Sequence, residues 1–480
     1  MKKNLLFVVL VFIFSKINAQ WTQDLRLTNN PANSGTPVNN AWGVAASGNF
    51  IHVVWYDERD FNKEIYYKRS ADGGLTWGAD TRLTNDNFSS QFPSISVTGQ
   101  VVHLAWIDGR DQDDEIYYKR STDDGVTWGP DTRLTSSTGA SENPCITASG
   151  GVVHVVWQDN RDGNYEIYYK RSADGGITWG PDTRLTNNPS YASPPSIAVS
   201  DSILHVVWDD NRDGNIEIYY KRSTDGGISW GPDTRLTFDP NYSGNASVAV
   251  SGSNVGVVWS DQRDGFLVNE IYWKGSTDGG MNWGPDTRLT YVYWVATYPS
   301  VSISGSSVHV AWNDSRDWGG GGWFEIYYKT SADVGFTWQP DIRLTNDSNQ
   351  SEFCSIIVSG SAAHVVWTDY RDGNPEIYYK RDSAGNPLGT NEVFIDNSVH
   401  IYPNPASGST TISFSLSKTQ KGSFKVFDMT GRLVETLAEG IVEQGENEFT
   451  WNASETPAGI YFLRMEAGSF SQTKKVSVIR

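Results

Sequence analysis

Little in this 480-residue sequence suits a disulfide scaffold, a helical bundle, a membrane span or a nucleic-acid binder. It has only two cysteines, Cys145 and Cys354, on the same type of strand in distant repeats, so two buried free thiols are expected. Methionine is scarce, with four residues, and no long amphipathic helical pattern is visible. No apolar run reaches the roughly 20 residues of a membrane-spanning helix. Excess cation is lacking too. The net charge is -18, whereas phosphate binding needs clustered Lys and Arg to displace counterions, which excludes nucleic acid as a partner. An acidic surface favours a soluble chain, read here as a monomer.

The chain is instead rich in aromatics and glycine: 20 Trp, 23 Tyr, 19 Phe and 46 Gly, a composition of short strands and tight turns. At the start, Lys2 and Lys3 precede the apolar run Leu5 to Phe14 and a small-residue stretch ending at Ala19. That is the pattern of a secretory signal peptide over residues 1–19, with the mature chain beginning near Gln20.

Self-comparison carries the architecture. Glu64-Ile65-Tyr66-Tyr67-Lys68-Arg69 recurs with small changes from Glu115, Glu166, Glu217, Glu270, Glu325 and Glu376, seven copies in all. A period slightly above 50 residues suits a propeller blade of four short strands. Each repeat reads as Pro93–Val97, then His52–Trp55, then the Glu-Ile-Tyr-Tyr-Lys-Arg segment, then a strand from Trp77 to Thr84, taking each strand type from one copy. The last repeat lacks a fourth strand after Arg381, while Trp21 to Thr28 is an orphan of that type. The expected fold is all-β: a seven-bladed β-propeller over residues 20–381, closed by the N-terminal strand, which leaves no free blade edge at the joint.

Between third and fourth strands stands Ser70-Ala71-Asp72-Gly73-Gly74-Leu75-Thr76-Trp77, with further copies from Ser121, Ser172, Ser223, Ser276 and Ser331. The pattern has a local cause. The carboxylate accepts turn N–H groups, glycine permits positive φ and tryptophan covers the hairpin. The segment resembles the Asp box of the sialidase and BNR-repeat family. The resemblance implies a structural role for Asp72, Asp123, Asp174, Asp225, Asp278 and Asp333, on the face away from the family's active site.

The join between second and third strands, Trp55-Tyr56-Asp57-Glu58-Arg59-Asp60, recurs as Trp-x-Asp-x-Arg-Asp from Trp106, Trp157, Trp208, Trp259, Trp312 and Trp367. Strand alternation puts it on the opposite face from the Asp boxes. Arg263 and Arg316 of this set are candidate ligand groups, since arginine forks suit carboxylate or sulfate. The alternative is intra-loop ion pairing, because a catalytic group would occur once whereas this arginine occurs in every repeat. Six histidines, His52, His103, His154, His205, His309 and His364, share one strand position, and groups so placed cannot converge on one ion, so no metal and no cofactor is expected. The family resemblance implies, for a catalytic member, a Tyr nucleophile paired with Glu, an Asp acid/base, three arginines and a Phe-Arg-Ile-Pro segment. That segment is absent from this sequence, and no single Asp, Glu or Tyr stands out from the repeat as glycoside hydrolysis requires, so catalytic residues stay unassigned.

The repeat breaks twice around the sixth blade, at Tyr291 to Tyr298 and at Asp317 to Phe324. Aromatic faces there can stack on sugar rings, and the intervening glycines let the tryptophans adapt. The candidate ligand patch is Tyr293, Trp294, Tyr298, Trp318, Trp323 and Phe324, with Arg263 and Arg316.

Residues 382–400 read as a polar linker. Beyond it come Ile401-Tyr402-Pro403-Asn404-Pro405, Val426-Phe427-Asp428-Met429-Thr430-Gly431-Arg432, Pro457 to Arg464 and a terminal Lys474 to Arg480. Alternating strands around an Asp-x-x-Gly turn suit a small β-sandwich. These motifs resemble the type A sorting domain of type IX secretion, which implies that residues 401–480 contact that machinery and carry the chain to the outside or outer surface of a Bacteroidota-type cell. The leading functional expectation is a secreted or surface-displayed module that binds a glycan or a surface protein. A sialidase-like glycoside hydrolase and a structural surface adhesin are the alternatives.

Overall fold

The computed structural model describes residues 21–37, 43–265, 268–318, 323–382, 400–416, 419–428, 432–443, 445–467 and 470–479. The expected signal peptide, linker residues 383–399 and the glycine run 319–322 lie outside the described residues. The chain divides into two compact units, Met1–Gly385 and Asn386–Arg480.

Among the described residues of the first unit there are seven antiparallel sheets, six of four strands and one of five. The second sheet is representative: Ser90–Thr98, Val101–Asp108, Glu115–Ser121 and Thr132–Arg133. The first sheet, built on Val44–Ser47 and Phe50–Asp57, gains the extra strand Ser34–Gly35. In the seventh sheet the chain supplies only Ser351–Ser359, Ala362–Asp369 and Glu376–Arg381 in sequence, and the fourth strand is Leu25–Arg26. Leu25 pairs with Tyr379 and Arg26 with Tyr378, as Thr132 pairs with Tyr118 and Arg133 with Tyr117. Trp21 comes with it and meets Tyr328 edge to face at 4.9 Å, as Trp77 meets Tyr379 at 4.9 Å. The orphan strand therefore replaces the missing one in register and in packing. First strands touch their neighbours in sequence, and that of the seventh sheet touches that of the first.

The second strand is the centre of each sheet. Val53, Val54 and Trp55 are fully buried, and the indole N–H of Trp55 donates to Asp57 at 3.0 Å. A spacing of two puts both side chains on one face of the strand, which explains why Trp-x-Asp repeats as a unit. Apolar clusters bridge adjacent sheets. Val54, Ile65 and Tyr67 of the first pack with Leu104, Trp106 and Tyr117 of the second, and Val366, Ile377 and Tyr379 of the seventh pack with Val53, Trp55 and Tyr66 of the first. Truncating one such tryptophan to alanine costs about 3–5 kcal/mol.

Two local features depart from the sequence reading. The fourth strand, read from Trp77 to Thr84, is a two-residue ladder at Thr81–Arg82, because the box turn occupies the residues before it and Asp80 is drawn to Lys68 and Arg59. Such short edges limit unwanted strand pairing. The first strand is longer than read and carries a bulge, between Gln91 and Ser94 in the second sheet, where Phe92 has φ 51°.

The second unit forms a three-stranded sheet, His400–Tyr402, Ser409–Leu416 and Gly445–Asn452, and a four-stranded sheet of Leu433–Val442, Gln420–Asp428, Gly459–Ala467 and Phe470–Val478. Phe424, Val426, Trp451, Leu463 and Val476 are buried together in its core.

Candidate functional site

Backbone hydrogen bonds sort the loops of the first unit into two ends. At one end the Asp-box hairpins clasp the turns between first and second strands, as in Gly73 N–H to Asn49 C=O at 2.8 Å and Gly175 N–H to Gly151 C=O at 2.8 Å. At the other, the join between second and third strands clasps the loop leading into the same sheet, as in Asn211 N–H to Tyr191 C=O at 3.2 Å and Ser315 N–H to Val295 C=O at 2.9 Å.

The Asp boxes are occupied by their own turns. Asp72 accepts from Leu75 N–H at 3.0 Å, Thr76 N–H at 2.8 Å and the Thr76 hydroxyl at 2.6 Å. Asp123, Asp174, Asp225, Asp278 and Asp333 do the same with Thr127, Thr178, Ser229, Asn282 and Thr337. These bonds hold the carboxyls of Asp123, Asp225, Asp278 and Asp333 down at about 2. The second glycine of the box serves the neighbour: at Gly125 (φ 79°) an added Cβ would lie 1.9 Å from the hydroxyl oxygen of Tyr67 on the preceding sheet. The histidines are equally structural. His52 Nδ1 lies 2.7 Å from the Tyr67 hydroxyl, with the same pairing at His103, His154, His205, His309 and His364, and burial lowers the His52 pKa to about 4.

Arg263 and Arg316 are already engaged. Arg263 forks onto Asp261 at 2.8 and 2.7 Å, reaches Asp286 at 2.8 Å and lies 4.3 Å over the Tyr272 ring. Arg316 does the same with Asp314, Asp341 and Tyr327. The arrangement recurs at Arg59, Arg110, Arg161, Arg212 and Arg371, which is the intra-loop pairing weighed as the alternative to ligand binding. Beyond the aspartate two residues before it, each arginine has a remote partner that spacing alone did not reveal, 21 to 25 residues on for six of them and Asp24 for Arg371.

The irregular aromatics divide in two. Tyr293, Trp294 and Trp323 present their rings outward, at 90%, 44% and 40% exposure. Val292, next to Tyr293 in the chain, is buried, its N–H given to Glu270 at 2.8 Å, and Val295 is clasped to Ser315, so the loop leading into the sixth sheet is tied to the join between its second and third strands. Arg316–Trp318 forms a single 3-10 turn between them. Phe324 is half-buried and its carbonyl accepts from Ser351 at 2.8 Å. Tyr298 is half-buried instead, at the first-strand bulge (φ 51°), edge to face with Phe353 at 5.2 Å.

The reading of the repeats missed several groups near those bulges. The middle residue of Trp-x-Asp reaches the next sheet: Asn313 accepts Phe353 N–H at 3.0 Å, Thr368 accepts Thr36 N–H at 2.9 Å, and Asp209 accepts Asn245 N–H at 2.8 Å. Burial raises the Asp209 carboxyl to about 7. Glu352, also buried, accepts from the Tyr370 hydroxyl at 2.9 Å and from Gln350, and burial raises its pKa. The available signal was variation inside a fixed motif, Tyr, Ile, Gln, Asp, Ser, Asn and Thr at one position in the seven copies.

Residues 101–310 match the BNR repeat-like domain, and residues 400–479 match the secretion system C-terminal sorting domain. The chain thus carries a BNR repeat-like domain within an all-β, propeller-type unit, and a secretion system C-terminal sorting domain. No curated protein matches it in sequence. Among solved structures, the chain is similar to the phage phi92 endosialidase (10% identity, TM-score 0.48, 95% of this chain and 87% of that one) and to Trypanosoma rangeli sialidase (10%, 0.44, 83% and 85%). It is also similar to PorZ, described as an essential bacterial surface component of the type IX secretion system of Porphyromonas gingivalis (13%, 0.41, 92% and 60%). These likenesses carry no activity to this chain. The sorting domain marks it for type IX export and for contact with that secretion machinery.

Proposed function

We propose that the mature protein is a carbohydrate-binding propeller, released or displayed at the outer surface after type IX export, and that it binds glycans through the irregular loops of the sixth sheet. The observation that carries this reading is the exposure of three large rings, Tyr293, Trp294 and Trp323, on the two irregular loops of the sixth sheet, at the end opposite the Asp boxes. Exposed flat aromatic faces pack on the apolar faces of sugar rings. The domain limits follow the same reading: leader 1–19, propeller 20–381, linker 382–400 and sorting domain 401–480. Replacing Trp294, Trp318 and Trp323 with alanine should abolish retention on a glycan array with an unchanged far-ultraviolet spectrum. Undiminished retention would refute the site.

A second reading, a sialidase-like glycoside hydrolase, draws on the Tyr370–Glu352 pair at 2.9 Å. It is ranked lower because the seven loop arginines are each taken by aspartates of their own sheet. Turnover of a fluorogenic sialoside, lost in Tyr370→Phe, would reverse the ranking.

A further inference from the structure

At the end of the sheets that carries these loops, a set of tyrosines outside the repeating Glu-Ile-Tyr-Tyr segment runs from the third sheet towards the seventh. Tyr165 and Tyr191 meet edge to face at 5.5 Å, and Tyr191 and Tyr298 both neighbour Tyr242. Tyr298 meets Phe353, and Tyr370 follows on the seventh sheet. Trp294 of the exposed patch is four residues from Tyr298, so the two features adjoin along the chain.

Carboxylates accompany this arc: Glu142 beside Tyr165, Asp209 beside Tyr242 and Glu352 beside Tyr298. Gly244 lets the Tyr242 hydroxyl and Asp209 close in on its backbone, since a Cβ there would lie 2.2 Å from the Tyr242 hydroxyl oxygen and 2.9 Å from Asp209 Oδ2. Repeat carboxylates are matched by cations, as Glu64 is by Arg82 and Asp80 by Lys68. Glu142, Asp209 and Glu352 instead take Gln158, backbone N–H groups and Tyr370 with Gln350, with no lysine or arginine paired to them among the described residues. All propeller arginines occupy one of three repeating positions. Asn313 adds a separate pointer to a ligand: it is fully buried, its Oδ1 serves Phe353, and its Nδ2 has no partner beside the Tyr298–Phe353 pair.

We infer that this tyrosine arc is a binding site for an amine-bearing glycan free of carboxylate and sulfate. The rings offer stacking faces, and the carboxylates accept hydrogen bonds from an ammonium group and, once ionised, balance its charge, Asp209 doing so only as pH climbs to about 7, whereas an acidic sugar finds no arginine outside the repeating positions to pair with. The inference rests on the reading that this end of the propeller binds glycans.

The test is calorimetric titration of the mature protein with a glucosamine hexasaccharide, its fully N-acetylated counterpart and a glucuronate-containing hexasaccharide, at low and high salt. The glucosamine hexamer should bind about tenfold more tightly than the acetylated one, a difference that shrinks with salt. Tyr191→Ala and Glu352→Gln should each weaken it about tenfold at an unchanged melting temperature. Equal or tighter binding of the glucuronate oligomer would overturn the assignment. Binding that Trp294→Ala and Trp323→Ala abolish but Tyr191→Ala does not would overturn the arc while leaving the sixth-sheet site standing. Absence of binding by any glycan would overturn both.

Discussion

Replacing Asp209 with asparagine should stabilise the propeller above neutral pH and have little effect in acid. Asp209 is buried, accepts Asn245 N–H at 2.8 Å and Ala246 N–H at 3.4 Å, lies close to Asp210 and Tyr242 and has no cationic partner among the described residues. Burial raises its carboxyl from 3.8 to about 7. A pKa raised on folding means that the native state holds a proton that the unfolded chain has released, so stability is full below the unfolded value and falls as pH climbs to about 7. Three pK units at 1.36 kcal/mol each put the ionisation penalty at roughly 4 kcal/mol. Asparagine keeps the stronger acceptor bond, as Asn313 does in the sixth sheet, and loses the longer one, worth about 1 kcal/mol. The net gain at pH 8 is about 3 kcal/mol, readable as a rise of several degrees in melting temperature, against little change at pH 4. A variant less stable than the parent at pH 8, or one whose stability falls with pH between 4 and 7 as steeply as the parent's, would refute the reasoning.

Three further outcomes follow from the packing. Trp21→Ala removes the ring that takes the box tryptophan's place against Tyr328 and should cost about 3 kcal/mol in chemical denaturation, with proteolysis beginning at the freed N-terminal strand. Gly125→Ala forces a side chain into a left-handed backbone and onto the Tyr67 hydroxyl, and should cost about 3 kcal/mol or more, whereas Gly99→Ala, where an added Cβ meets nothing, should show only the backbone penalty of about 1 kcal/mol. Cys145 and Cys354 are free and fully buried, and burial pushes their thiols up to about 11 and about 12, so both should resist alkylation at pH 8 until denaturant is added.

The fold was legible because each repeat writes its own strand order, and because Asp24-Leu25-Arg26-Leu27-Thr28 spells the same fourth strand as Asp80-Thr81-Arg82-Leu83-Thr84. The sheet ends were legible from strand parity. What escaped was contact across sheets. Phe92, Asn143, Asn245, Tyr298 and Phe353 adopt positive φ without the glycine that would announce a bulge. Asp209 and Glu352 look like ordinary acidic residues until the neighbouring sheet buries them. Arg263 and Arg316 drew attention as ligand groups because Asp286 and Asp341 are remote in sequence and adjacent in space.

The most direct measurement of the central claim is a crystal structure of the mature protein with a bound oligosaccharide. Sugar rings stacked on Trp294 and Trp323, or laid along Tyr298, Tyr242 and Tyr191, are the expected result. Sugar bound instead at the Asp-box end, between Trp230 and Met281, would contradict it.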